Sequence, residues 1–462
     1  MEQDTEDSES TFQKEDYMES GRPRDIGQLS PGEVVSAHCE KGEAMLVTDN
    51  GAGMRITALA PKTARIRYCS SAGFGDGFSY AIAEGVSERR AELAMTEVGD
   101  VYRIATSELV FFVARQGLLL RVEDTDGNLL SEDERGFHWQ ENDTFGGDIV
   151  FHSRAVQPNE HFYGLGDKTC HSDMRGKRLQ MWGSDTYGYG RETDPLYKNI
   201  PFFIGLHHGR SYGIFFDNSF RSFFDFGKER SKVSSFWAQG GEMDFYFIGG
   251  RDVAEVTRGF ASLTGTSELP PLWAMGYHQC KWSYRTEDEV KGIARRFRKL
   301  EIPCDAIYID IVYMDGFRCF TWNREAFPDP GAMSGWLAKR GFKAVAMIDP
   351  GIKIDPGYAV YDSGIEQDVF CRRMDGPILR GNVWPGACHF PDFTDPRVRD
   401  WWADLYRGLI CDDGIAGVWN DMNEPAVFND LKTFPRDVRH DFDGHPCSHR
   451  RAHNVYGMQM VR

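Results

Sequence analysis

Up to about residue 265 the apolar positions of the chain fall in short, strand-like runs. "MRITALAPKTARIRYCS" (54–70), "VYRIATSELVFFVARQGLLLRVEDTDGNLL" (101–130) and "SYGIFFDNSFRSFFDFG" (211–227) are broken by Pro, Gly and Asp-Gly turn signals. This texture predicts an antiparallel β-sandwich. At "SELPPLWAMGYHQCKWSY" (267–284) the texture changes. Paired prolines mark a boundary, and "WAMGYHQ" reads as a short strand. "RTEDEVKGIARRFRKLEIPCD" follows as a helix, with a capping box from Thr286 and Glu289 and with Val290, Ile293, Phe297 and Leu300 on one face. "DAIYIDIVY" is nearly all apolar, as a strand covered on both faces should be. "GAMSGWLAKRG" predicts a helix and "FKAVAMIDPGIK" a strand. "TDPRVRDWWADLYRGLI" predicts a helix with Asp395 as N-cap and Pro396 in its first turn, and "GIAGVWNDMNE" a fourth strand. Strand and helix alternate, which predicts a parallel sheet.

The expected organisation is therefore an acidic disordered tail over 1–28, a β-sandwich over 29–265 and the first half of a (β/α)8 barrel over 266–462. The tail is assigned from "MEQDTEDSESTFQKEDYMES", which has few apolar anchors and no apolar stretch of the kind a signal peptide needs. At 462 residues, 41% of them hydrophobic, the chain can fill two cores.

Charge narrows the partners. The formal net charge of −17 argues against nucleic acid or an anionic membrane, since both call for a basic face. No uncharged stretch reaches membrane-spanning length, and "ELVFFVARQGLLLRV" carries Arg115 at its centre. The ten cysteines are scattered singly, with no C-x-x-C pair, which points to a reducing, cytoplasmic setting.

The candidate chemistry sits where the predicted strands end. Asp310 follows Ala306–Ile309, Asp349 follows "AVAMI", and Asp421 follows "GVWN". In a parallel β/α fold such residues gather at one mouth. A single strand-end acid most often caps a turn; three in series, beside "DMNE", point to a site. Trp384, Trp419, Phe320 and Trp322 lie near the same ends. Carboxylates for hydroxyls and aromatic faces for C–H edges suit a carbohydrate. Carboxylates in a sugar site also suit glycosidic cleavage, whose oxocarbenium-like transition state an Asp can stabilise or trap as an ester.

"GVWNDMNEPAVF" (417–428) resembles the nucleophile motif of glycoside hydrolase family 31, the α-glucosidase and α-xylosidase family. "FYGLGDKT" and "MWGSDTYGYGRETDPLYKNIPFFIG" resemble a loop of that family's N-terminal sandwich. "LPPLWAMGYHQCKWSY", "AIYIDIVYMDGFRCFTWN" and "DPGIK" are similar to its first three barrel strands. "VWPGACHFPDFTDPRVRDWW" and "HRRAHNVYG" resemble the segments flanking the fourth. The resemblance implies a retaining α-glycosidase that takes terminal α-linked glucose from oligosaccharides, with Asp421 as nucleophile and Glu424 in support. It implies substrate contacts from Asp310, Ile311, Asp349, Trp384, Trp419 and Met422, and from Asp185 on the sandwich loop. It implies no cofactor and no metal, a small-molecule oligosaccharide as partner, and a state compatible with a homo-oligomer. α-Xylosidase and transglucosidase activity remain open within the family, and a non-catalytic carbohydrate-binding or scaffold protein outside it.

Val312, Asn323 and Cys280 depart from the family pattern, at positions that bear on substrate preference. Family members continue beyond "HNVYG" to further barrel strands and an acid/base Asp. The chain is accordingly expected to be a fragment, inactive alone. His445, His449 and His453 are spaced like a zinc face, but Pro446 interrupts a helix there, and no metal is assigned to them.

Overall fold

The computed structural model describes residues 27–71, 73–142 and 147–462. The tail expected over 1–28 lies outside these except for Gly27 and Gln28, and Gln28 pairs with Gln140 as part of a short strand. The chain divides into two compact units, Met1–Thr266 and Ser267–Arg462.

The first unit is a sandwich of two antiparallel sheets. One runs from Arg178–Met181 at one edge to Ala94–Val98 at the other; the second runs from His161–Gly166 to Val34–Glu40. The predicted runs become hairpins. Gly53–Ala60 pairs with Thr63–Cys69, and Arg65 and Arg67 alternate with the buried Ala64, Ile66 and Tyr68. The apolar "ELVFFVARQGLLLRV" is two strands, Leu109–Ala114 and Leu120–Asp124, that turn back at Arg115. Among the described residues no helix is long and apolar enough to cross a membrane. The core is largely aromatic, with Phe111, Phe137, Phe162, Phe203, Phe224, Phe236 and Phe247 buried in one cluster. A helix, Val253–Thr264, covers Phe202, Phe215 and Ile248; the Asp252 carboxylate caps it by accepting from the Glu255 N–H at 2.7 Å.

The second unit holds a four-stranded parallel sheet in the order His278–Gln279, Ala306–Ile309, Lys343–Ile348, Gly417–Asn420. No closed barrel is seen among the described residues. Helix Glu287–Lys299 starts as expected, with Thr286 Oγ1 accepting from the Glu289 N–H. The reciprocal bond of the box goes one residue further back, from the Arg285 N–H to Glu289 Oε2 at 3.0 Å. Val290 and Phe297 are buried and Ile293 packs against the core, but Leu300 is exposed because the helix stops at Lys299 and Leu300 turns out as its C-cap. Pro330–Ala338 and Pro396–Arg407 form the other two predicted helices, with Asp329 and Asp395 as N-caps, and a further helix, Ala359–Glu366, lies between them.

Two predicted strands are shorter than their apolar runs. "WAMGYHQ" is a 3-10 turn over Leu272–Met275 and then only two strand residues. "DAIYIDIVY" leaves the sheet after Ile309, and Ile311–Tyr313 forms a 3-10 turn. Asp310 ends that strand by capping: its Oδ1 accepts from the Ile311 N–H at 2.7 Å. The apolarity of Ile311 and Tyr313 reflects burial in the core and not strand pairing.

Candidate active site

The parallel register brings three acids to one end of the sheet. Ile309 pairs with Ala346, and Ile348 with Asn420, so Asp349 and Asp421 leave neighbouring strands side by side. Each strand is ended by its own chemistry. Pro350 follows Asp349 and has no N–H to continue the ladder. After Asp421, Met422 takes φ +58°, in the left-handed region that a non-glycine residue seldom occupies. Asp421 Oδ1 accepts from the Met422 N–H at 2.9 Å and so supports that turn. Strain of about 1–3 kcal/mol at such a residue persists only where the surroundings impose it; Met422 is buried.

The acids are desolvated to different degrees. Asp349 is 2% exposed, and neither of its carboxylate oxygens meets a hydrogen-bond donor among the described residues. Burial pushes its carboxyl well above the ordinary range, and the charges of Asp421, Asp310 and Glu424 add to the effect. Asp310 is 4% exposed; burial also raises it, the Ile311 N–H draws it back, and Asp421 raises it again. Asp421 is partly accessible. The arrangement is one accessible carboxylate beside two buried ones that resist ionisation.

Aromatics rim the same end. The Trp384 ring lies 5.8 Å from Trp282, 5.5 Å edge-on from Phe428 and 6.4 Å from Phe317, centroid to centroid. Trp282, Trp384 and Phe428 are all exposed. Such a cluster offers flat apolar faces next to hydrogen-bonding carboxylates, as sugar rings require. Trp419 packs edge-on against Tyr308 at 6.1 Å.

Ile311 is buried directly after Asp310. Asp185 belongs to the sandwich unit, where its Oδ1 accepts from Tyr197 Oη at 3.1 Å. Phe320 and Trp322 do not join the rim: Phe320 packs edge-on against Trp402 and Tyr406, and Trp322 packs against Tyr313 while its indole donates to Asp413. His445 lies ahead of helix His449–Met460, whose first turns carry His449 and His453.

Sequence pattern alone passed over several neighbours of the site. Tyr313 is fully buried and its hydroxyl donates to the Met347 carbonyl at 2.9 Å, tying the turn after Asp310 to the third strand. Cys280, by contrast legible in the sequence as a departure from the family pattern, stands just past the first strand; partial desolvation and the charges of Asp310 and Asp421 raise its thiol. The Cys319 thiol donates to the Asp349 carbonyl at 3.2 Å. Trp282 and Phe428 stand a few residues past the first and fourth strands, the one available sequence signal for them.

A β-sandwich followed by parallel β/α strands whose ends gather acids and aromatics defines a chain of the glycoside hydrolase class. Comparison with known proteins makes the assignment specific. Residues 267–462 match the glycosyl hydrolases family 31 TIM-barrel domain, and residues 53–225 the family's N-terminal galactose mutarotase-like domain. The chain belongs to glycosyl hydrolase family 31. It is 39% identical over 390 residues to alpha-glucosidase 2 of Bacillus thermoamyloliquefaciens, covering 84% of this chain and 49% of that protein. It is 35% identical to neutral alpha-glucosidase AB of Sus scrofa, over 64% of this chain and 34% of the relative. The structure of the Flavobacterium johnsoniae family 31 dextranase complexed with glucose superposes with a TM-score of 0.84 at 31% identity, covering 93% of this chain and 52% of that one. The chain thus spans about half the length of alpha-glucosidase 2 and of the dextranase.

Proposed function

We propose that this chain carries the nucleophile side of a retaining α-glycosidase that releases terminal α-linked glucose from oligosaccharides. The observation that carries the reading is the placement of Asp421: accessible, at the end of the fourth strand, beside two buried acids in a mouth rimmed by exposed tryptophans. The names of the relatives, two α-glucosidases and a dextranase, support an α-glucoside as substrate.

Asp421 attacks the anomeric carbon as the glycosidic C–O bond breaks and the leaving oxygen takes a proton from an acid/base carboxyl, forming a β-glycosyl ester. Water gives its proton back to that carboxyl as it displaces the Asp421 carboxylate and releases the α product. Its hydrogen bond from the Met422 N–H fixes one carboxylate oxygen. Asp310 and Asp349 accept hydrogen bonds from hydroxyls of the bound sugar, and among the described residues neither oxygen of Asp349 already meets a donor. Ile311, Met422, Trp384 and Trp419 shape the apolar walls, and Glu424 supports the turn after the nucleophile. The reaction also needs an acid/base carboxyl about 5–5.5 Å from the nucleophile. Asp310, Asp349 and Glu424 are assigned to sugar binding and support rather than to that part. All ten cysteines are unpaired, which supports a cytoplasmic setting.

Trapping the native protein with a 2-deoxy-2-fluoro-α-glucosyl donor tests the assignment. The label is expected on the peptide containing Asp421; a label on any other peptide rejects it.

A further inference from the structure

Away from the strand ends, three chain segments meet around a second cluster. The Cys371 N–H donates to the Phe390 carbonyl, and the Arg439 N–H to the Arg372 carbonyl, both at 2.8 Å. These bonds hold residues 371–372, 390–392 and 439–441 together. At their junction a Cys371 sulfur, an Asp392 carboxylate oxygen and a His440 ring nitrogen lie within 4.8 Å of one another. Cys371 and His440 are buried. Cys447 stands directly opposite His440 in the short antiparallel pairing of Arg439–His440 with Cys447–Ser448. Directly opposed residues present their side chains on one face, and Cys447 lies within electrostatic reach of Asp392.

We propose that Cys371, Asp392 and His440 form a site for a divalent cation of the zinc class, with Cys447 nearby across the ribbon. Thiolate, imidazole and carboxylate together are the ligand set that such a borderline-soft ion prefers. The surrounding groups orient the ligands as an outer shell does. Asp392 accepts from the Thr394 hydroxyl at 2.7 Å and from the Asp441 N–H at 2.9 Å. His440 Nδ1 faces Asp392 at 2.9 Å, and its other nitrogen meets His449 Nδ1 at 3.0 Å. His449 Nε2 in turn lies 3.3 Å from Thr433 Oγ1 and 3.1 Å from His453 Nδ1.

That chain of imidazoles resolves the proton count. Without metal, His440 Nδ1–H donates to Asp392 and His440 Nε2 accepts from His449. When the ion takes the Nδ1 lone pair, the His440 proton resides on Nε2 and donates to His449 Nδ1; His449 then donates from Nε2 to Thr433. Each ring keeps one proton in both states. Each coordinating thiol loses its proton to solvent. No buried nitrogen of His440 or His449 is left without a partner by the switch.

The site does not depend on the glycosidase reading, and its test does not use activity. Native protein, purified without chelator, is analysed for bound zinc and, after exchange, for its cobalt(II) spectrum. The expected result is about one zinc per chain, a near-ultraviolet thiolate-to-cobalt charge-transfer band, and loss of zinc in Cys371→Ser and His440→Gln but not in Cys411→Ser. Absence of both zinc and the cobalt band overturns the proposal, as does zinc retained by Cys371→Ser. The cobalt spectrum of the unmutated protein decides the matter if either variant fails to fold.

Discussion

The Asp421 N–H donates to the Ile348 carbonyl at 3.1 Å, so the pairing of the third and fourth parallel strands extends as far as the acid itself. This bond levels Asp421 with Asp349, the residue after Ile348, and sets an accessible carboxylate beside a buried one. The two acids are 72 positions apart in the chain, and neither local sequence specifies the other.

Replacing the proposed nucleophile should remove turnover without unfolding the protein. In the native protein Asp421→Asn is expected to lose on the order of 10⁴-fold in kcat, the scale of losing an essential catalytic group. Far-ultraviolet circular dichroism should be unchanged, because the side-chain oxygen that accepts from the Met422 N–H is retained. Near-normal turnover would remove Asp421 from the mechanism.

Asp349 makes stability depend on pH. Its carboxyl is raised by burial and by three neighbouring acids, so it costs nothing while protonated in both the folded and unfolded states. Above the ordinary carboxyl value, about pH 4, the unfolded chain ionises it more readily and folded stability falls. The limiting slope is about 1.4 kcal/mol per pH unit. Asp349→Asn should therefore match the unmutated protein below about pH 4 and exceed it at neutral pH. Denaturant titrations across that range check this; a variant less stable at pH 7 than at pH 4, relative to the unmutated protein, contradicts it.

The sandwich core contains an acid of the same kind. Asp133 is raised to about 8 by burial, against the pull of the Leu120 N–H and of Arg154. Its destabilising effect should grow from about pH 4 and level off near 8. Asp133→Asn keeps an oxygen for the Leu120 N–H, which donates at 2.8 Å, and should flatten the stability profile over that window. An unchanged slope in urea unfolding between those limits would refute it.

Gly457 should resist substitution although it lies inside a helix. Alanine in a helix interior is ordinarily better than glycine by up to about 1 kcal/mol. Here a Cβ would stand 2.4 Å from the Asn423 carbonyl oxygen, a backbone atom two residues past Asp421. Gly457→Ala is expected to destabilise by about 1–3 kcal/mol, the range for overpacking. In the native protein it should also lower kcat by shifting the turn that carries the nucleophile. A variant with a higher Tm would show that the turn yields freely.

Much of the frame could be read from local pattern. The turn signals of the first half and the strand–helix alternation of the second became the two sandwich sheets and the parallel sheet. Asp252, Thr286, Asp329 and Asp395 each cap a helix, and the last three precede predicted helices. Apolar runs misled where burial had another origin: Ile311 and Tyr313 fill the core from a turn, and Phe320 and Trp322 do so from a loop.

What the sequence by itself determined was the change from sandwich to parallel sheet, the helices over Glu287–Lys299, Pro330–Ala338 and Pro396–Arg407, and the position of each strand-end acid, because capping, turn chemistry and apolar period act over a few residues. Only the tertiary structure decided which acid is buried and which is accessible, that Trp282 and Phe428 join Trp384, that Gly457 presses on Asn423, and that Cys371, Asp392 and His440 converge. Those facts depend on strand register and on contacts between distant segments, whose desolvation and charge coupling no local stretch of chain encodes.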